Sequence, residues 1–422
     1  MSRELVPPAS RLPAVPPAAG QARGISRRDK QAGSRGTRED ILFVTGFWSA
    51  ETLARSSTRA TESYLRLFQE LHQAVPFAMH VWIEPHLERR VRAIVVENAP
   101  APRTVRVKRY QDLPFTHLVA RCESLPHMDN VDRHGKESIP FSTTSWAKAA
   151  LVDEAARLHG IAGDSARVAW IDFGIAHVAD MAVRWAEVEG ALRRADGLLI
   201  CEMHPTAPNE LDDLAEYCRF NRGRVAAGFF SGAPTAMTWF ADATARAIDE
   251  VLDLGRVVLE EQVMSVLCAR EPDRFAPYSS DYMGVLRNVT GIERDLGTVL
   301  YALGKAREKS LSQRGLQIFS DMVDSASRSR IRLEPHEAAR LLYDAFICAW
   351  YVDRARADDV AELAVSLRAA GCAEVRREID RHRKSFDSNL AFAGAKFDGA
   401  DPVASLRRIV ERSDFPAWKG CL

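Results

Sequence analysis

The chain has 422 residues, 46% hydrophobic and 27% charged, which are ordinary globular values and enough chain for two domains. Basic and acidic residues number 57 each, so the formal net charge is zero and no global field draws in nucleic acid or an anionic membrane. Seven widely spaced cysteines with no C-x-x-C pair argue against a disulfide framework and against a structural zinc site.

No run of about 18 apolar residues is present, so no transmembrane segment is expected. These features predict a cytoplasmic protein with no nucleic-acid partner. Residues 1–39 are rich in proline and arginine and lack the apolar stretch of a secretion signal; they read as a disordered, weakly basic arm.

Order is predicted to begin at Asp40, where Ile41 to Phe47 form a short apolar run suited to a buried strand. Tyr64, Leu67, Phe68 and Leu71 then share one helical face. Phe77 to Ile83 and Thr104 to Val107 read as the next two strands. A polar stretch over 121–140, holding His127, Asp129, Asp132 and His134, reads as a loop. A helix is expected over 145–160, with Ser145 as N-cap and Gly160 as its stop.

Arg167 to Asp172 is the fourth expected strand, followed by a helix over 181–194, a strand over 198–201 and a helix over 210–219. Arg224 to Phe230 reads as a further strand ended by Ser231-Gly232, and a long helix fills 234–253. Such alternation predicts a mostly parallel, Rossmann-like α/β sheet with helices on both faces, over 40–290. From 291 to 422 the pattern is helical, with a clear apolar stripe from Ala338 to Ala349.

Three segments could carry chemistry. Asp172 follows an apolar strand and precedes Gly174; in an open α/β sheet ligands bind outside the carboxyl ends of strands. An aspartate there can hold a hard divalent cation, Mg²⁺ or Mn²⁺, or it can simply cap a turn. Ala227 to Gly232 places small residues at a strand-to-helix junction, either to admit a ligand or to make an ordinary turn. Glu260-Glu261-Gln262 opens a helix, where acidic residues are favoured by the dipole but could also orient or deprotonate a hydroxyl.

Lys148 could neutralise phosphate or be plainly solvated. No H-E-x-x-H, Walker-type loop, strand-linked G-x-G-x-x-G or G-x-S-x-G occurs, which disfavours zinc hydrolases, P-loop and dinucleotide enzymes and serine hydrolases.

Taken in order, these motifs resemble the HtrL/YibB family, whose members are assigned as bacterial glycosyltransferases. The resemblance runs over roughly 41–288. It rests on Phe43 to Phe47, Arg59, Tyr64, Phe68, Trp146, Lys148, Trp170 to Ile175, Ala227 to Gly232, Glu261-Gln262, Phe275 to Tyr278, Asp281-Tyr282 and Asn288.

It implies a GT-A-like fold that transfers sugar from a nucleotide-sugar to an acceptor it does not identify, usually with a divalent cation held by an Asp-x-Asp motif. By position, Thr45 and Phe47 would lie near the nucleoside, and Arg59 and Lys148 near the diphosphate. Gly228, Phe230, Ser231 and Gly232 would line the sugar. Asp172 would hold the metal, and Glu261 with Gln262 would face donor sugar or acceptor. The second motif position is Gly174, so His177 or Asp180 would have to complete a metal site. The alternatives are a degenerate member that binds without turnover, and a helical scaffold whose function lies in its C-terminal part.

Overall fold

The computed structural model describes residues 40–321, apart from 50, 54–59, 98, 130–137, 291–295, 310, 312 and 320. The arm, Arg59, and the stripe from Ala338 to Ala349 therefore lie outside the described residues.

β1 (Ile41–Phe47) is apolar on both sides because it is covered on both. Ile41 and Phe43 enter one core cluster, and Leu42 and Val44 enter the other. The first cluster includes Phe68 and Leu71 of the expected stripe on α1 (Thr61–Ala74), with Tyr64 packed against it and Leu65 in addition; Leu67 is buried outside the cluster. β2 (Ala78–Ile83), α2 (Glu88–Val96) and β3 (Arg103–Val107) follow, then the short α3 (Val119–Cys122).

In place of one helix over 145–160 there are two, α4 (Ile139–Trp146) and α5 (Lys148–Leu158), which meet at Ala147. The N-cap is Ser138, whose hydroxyl accepts from the Phe141 amide at 3.2 Å, and not Ser145. Gly160, at φ +63°, closes the pair as expected.

β4 (Arg167–Ile171), α6 (Trp185–Arg194), β5 (Leu198–Glu202), α7 (Leu214–Tyr217), β6 (Val225–Gly232) and α8 (Pro234–Asp253) continue the alternation. α9 (Glu260–Arg270) and β7 (Phe275–Ser279) complete it. The sheet order is β3-β2-β1-β4-β6-β5-β7. All neighbours are parallel except β6, which is antiparallel to both β4 and β5. The result is a seven-stranded, mostly parallel α/β sheet, compatible with a Rossmann-like fold.

β7, which contains Pro277, is not among the strands expected from the sequence. Among the described residues it is an edge strand paired with β5 alone, where a missing N–H can face away from the ladder.

α10 (Leu296–Glu308) lies against this edge of the domain. Lys309 donates to the Pro205 carbonyl and pairs with Glu210, both at 2.7 Å. Arg314 pairs with the buried Glu202 at 2.8 Å and donates to the Pro277 carbonyl at 3.1 Å. Among the described residues no helix is long and apolar enough to cross a membrane.

Candidate functional site

The strand order reverses at β1. The chain builds outward through β2 to β3 and then returns to lay β4 on the other side of β1. Crossovers on either side of β1 leave a crevice beyond the carboxyl ends of β1 and β4, the usual ligand position in an open α/β sheet. A cavity of about 270 Å³ lies there.

Phe47 and Trp48, Tyr64 of α1, and Phe173 contribute aromatic surface to it. Phe47 stacks on Phe173 with ring centroids 4.8 Å apart and packs on Tyr64 at 5.0 Å, so these walls are fixed by one another.

The polar floor comes from distant parts of the chain. Lys148, in the first turn of α5, is 9% exposed and reaches Asp172 at 2.9 Å and Glu260 at 2.8 Å. Its ammonium also lies 3.4 Å from the Ala227 carbonyl. Burial opposes its charge, but Asp172 and Glu260 outweigh that cost and hold the ammonium above the ordinary lysine range. Asp172 takes a second bond from the Trp170 indole N–H, at 2.6 Å to the same carboxylate oxygen.

Glu260 and Glu261 occupy the first turn of α9, where the helix dipole favours carboxylates, and both line the cavity. The Tyr282 hydroxyl donates to Glu261 at 2.8 Å. Burial, with the neighbouring Glu261 carboxylate, holds that phenol far above its usual range.

The cavity therefore brings together five of the expected residues: Phe47, Lys148, Asp172, Gly228 and Glu261. Others lie elsewhere. Thr45 is fully buried one residue short of the lining, and its hydroxyl has no hydrogen-bond partner among the described residues. Gln262 is turned away by its helical rotation from Glu261. It donates to the Tyr217 carbonyl at 3.0 Å and accepts from the Arg222 amide at 3.3 Å.

Phe230, Ser231 and Gly232 are removed from the cavity by the direction of β6. Gly232 pairs with Val168 near the start of β4, and Phe229 with Ile171 at its end. The carboxyl end of β6 thus lies beside the amino end of β4, away from the cavity. Phe230 packs on Phe240 and Ser231 donates to the Val168 carbonyl at 2.9 Å. Of the segment Ala227 to Gly232 only Gly228 reaches the cavity, beside Ala226, which precedes the segment. The Gly228 carbonyl accepts from the Asp172 amide at 2.9 Å, which fixes the strand beside the carboxylate.

With the Lys148 ammonium seated on Asp172, a divalent cation does not fit there, and the positions expected to complete a metal site do not supply one. Position 174 cannot supply a second carboxylate without displacing Tyr64, because a Cβ there would sit 2.9 Å from its ring. His177 lines the cavity and bonds through Nδ1 to the Gly174 carbonyl, whereas Asp180 is exposed and accepts from the Ala182 amide. Among the described residues no three His, Cys, Asp or Glu side chains converge as a metal site.

Sequence reasoning did not single out Trp170 or Tyr282 as site residues, and it named Glu260 only together with its neighbours at the start of a helix. Trp170 and Tyr282 stood inside the quoted motifs, and Glu260 beside one. Nothing local signals that Glu260 rather than Glu261 meets Lys148.

No family model matches the chain, and no curated protein matches it. Among solved structures, the apo form of mouse xyloside xylosyltransferase 1 is similar with a TM-score of 0.32 and 12% identity, over 57% of this chain and 84% of that one.

Proposed function

We propose that the chain is a glycosyltransferase whose cavity receives a hydroxyl-rich sugar group, with a nucleotide-sugar as donor and an acceptor of unidentified chemistry. One observation carries this reading: three carboxylates, Asp172, Glu260 and Glu261, face an aromatic-walled cavity at the topological switch point. Ionised carboxylates only accept hydrogen bonds, and sugar hydroxyls supply donors to them. Aromatic faces suit the apolar faces of a sugar ring. Glu261, held by Tyr282, would orient or deprotonate an attacking hydroxyl. The ordered motifs that resemble HtrL/YibB chains support the same reading.

A second reading, binding of carbohydrate or nucleotide-sugar without turnover, is favoured by the way Lys148 is committed. Its three N–H groups have Asp172, Glu260 and the Ala227 carbonyl as partners, which leaves none directed at a leaving diphosphate.

A thermal-shift panel of UDP-, GDP-, CMP- and TDP-sugars, followed by donor hydrolysis, separates the two. A shift with hydrolysis supports the transferase, and a shift without hydrolysis supports the binder. Absence of any shift across the panel sinks both.

A further inference from the structure

We infer that Lys148 is the site's built-in cation. It occupies the position between Asp172 and Glu260 that a divalent ion would take, so the site works without metal, and removal of the ammonium converts the site into one that binds metal.

The argument begins with charge. Asp172 and Glu260 come from the end of β4 and the start of α9, and each approaches one ammonium, at 2.9 and 2.8 Å. Two carboxylates at such close range repel one another unless a cation stands between them. In a metal-dependent site that cation is exchangeable and oxygen-liganded. Here it is tethered through a lysine stem whose residue is nine-tenths buried.

Geometry adds a second argument. The Asp172 oxygen that faces Lys148 also accepts from the Trp170 indole, so the carboxylate is oriented toward the ammonium by a side chain of its own strand. The Ala227 carbonyl at 3.4 Å lies near the same ammonium. The ammonium therefore has oxygen from three separate segments around it, a donor set that a hard cation would also accept. A divalent ion entering this place would have to expel the lysine, because both charges cannot share it.

The reverse also follows. Truncating Lys148 leaves Asp172 and Glu260 facing one another with a space between them and a carbonyl oxygen beside it. Mg²⁺ and Mn²⁺ bind oxygen at about 2.1 Å, so the two carboxylates need to close by less than an ångström each. The inference concerns the cation alone and holds whichever of the two functional readings is correct.

The test uses the full chain, stripped with EDTA and dialysed, and Mn²⁺ alone as the probe. Binding is followed by the electron-spin resonance of free Mn²⁺ and by thermal unfolding. For the unmodified protein the expected result is no saturable binding and a melting temperature unmoved by EDTA or Mn²⁺. Lys148→Ala should melt lower than the parent and bind a single Mn²⁺. Its melting temperature should rise by about 5 °C when the metal stands roughly a hundredfold above its dissociation constant. Adding Asp172→Asn to that variant should abolish the binding.

Saturable Mn²⁺ binding by the unmodified protein that Asp172→Asn removes would overturn the inference. So would a folded Lys148→Ala protein that ignores Mn²⁺. Should Lys148→Ala not fold, Lys148→Ser repeats the experiment, and the unmodified protein with Asp172→Asn still decides the metal-free claim. Since no sugar enters the measurement, its failure is distinct from failure of the glycosyltransferase reading.

Discussion

Asp172 looks from the sequence like a residue that could be altered without harm to the fold, since it lies past the end of a strand beside a turn. Its contacts say otherwise. It is one of two carboxylate partners for a buried ammonium and the acceptor of an indole N–H. Asp172→Asn should therefore cost about 1–3 kcal/mol of stability, below the figure for a fully buried pair because its own side chain is 38% exposed. Urea unfolding checks this, and an unchanged midpoint would mean that Glu260 alone satisfies Lys148. Glu261 has the opposite balance. Glu261→Gln keeps an acceptor for Tyr282 and should leave the unfolding midpoint nearly unchanged. If Glu261 acts on an acceptor hydroxyl, hydrolysis of an active donor should fall about a hundredfold or more. Equal loss of donor affinity and turnover would instead assign it to binding.

Elements were legible where an apolar run and its turn signals agreed. β1, β4 and β5 are short, buried along their length and marked at one end by Asp40, Asp172 and Gly197 respectively, and they fall where expected. Elements went astray where one residue type had two meanings. Ser145 looks like an N-cap, but the chain is already helical there and Ser138 performs the capping. Pro277 argues against a strand only if the strand is central, and β7 is at the edge. Gly197 gave no signal, yet it opens β5 at φ +114°, and a Cβ there would lie 2.6 Å from the Arg274 carbonyl just before β7. Gly197→Ala should cost about 1–3 kcal/mol through strain and loosening of the β5–β7 edge. Hydrogen exchange should localise the loss to β7, and loss spread evenly over the sheet would contradict this.

Over the whole described body, three buried histidines contribute to the response to acid. Burial, reinforced by nearby Arg103, lowers the His72 pKa to about 4. Burial, then His159 and neighbouring basic groups, lowers His80 to about 3, and burial with Arg224 does the same for His204. Each binds a proton in the unfolded chain near pH 6.5 but not in the folded one. Their contribution is complete above that pH and is lost as pH falls toward 4, at about 2 kcal/mol per histidine by pH 5. Urea midpoints at pH 7.5 and 5 should show a marked fall; a flat profile would refute the assignment.

The same body is held at its far edge by Arg314 on Glu202, whose side chain is 9% exposed. Arg314→Ala strands that carboxylate and should cost about 3 kcal/mol. A fragment ending at residue 290 loses this clamp, the Lys309 contacts and the cover of α10. It should unfold at lower urea than the full chain and aggregate more readily. A fragment as stable and soluble as the full chain would show that the clamp contributes nothing.

By itself the sequence determined the alternation of strands and helices, the placement of an aspartate beyond a strand end, and a pair of glutamates at a helix start. Each of these is written in local periodicity or in neighbouring residues. Only the tertiary structure decided the direction of β6, because a short run buried on both faces reads the same from either end. That direction separates Gly228, at the cavity, from Ser231 and Gly232, at the opposite end of the strands. The tertiary structure also decided that Lys148 meets Asp172 and Glu260, residues far apart in the chain whose encounter depends on how α5 and α9 pack on the sheet. Charge pairing of this kind is a property of distance, and distance between remote residues exists only once the chain is folded.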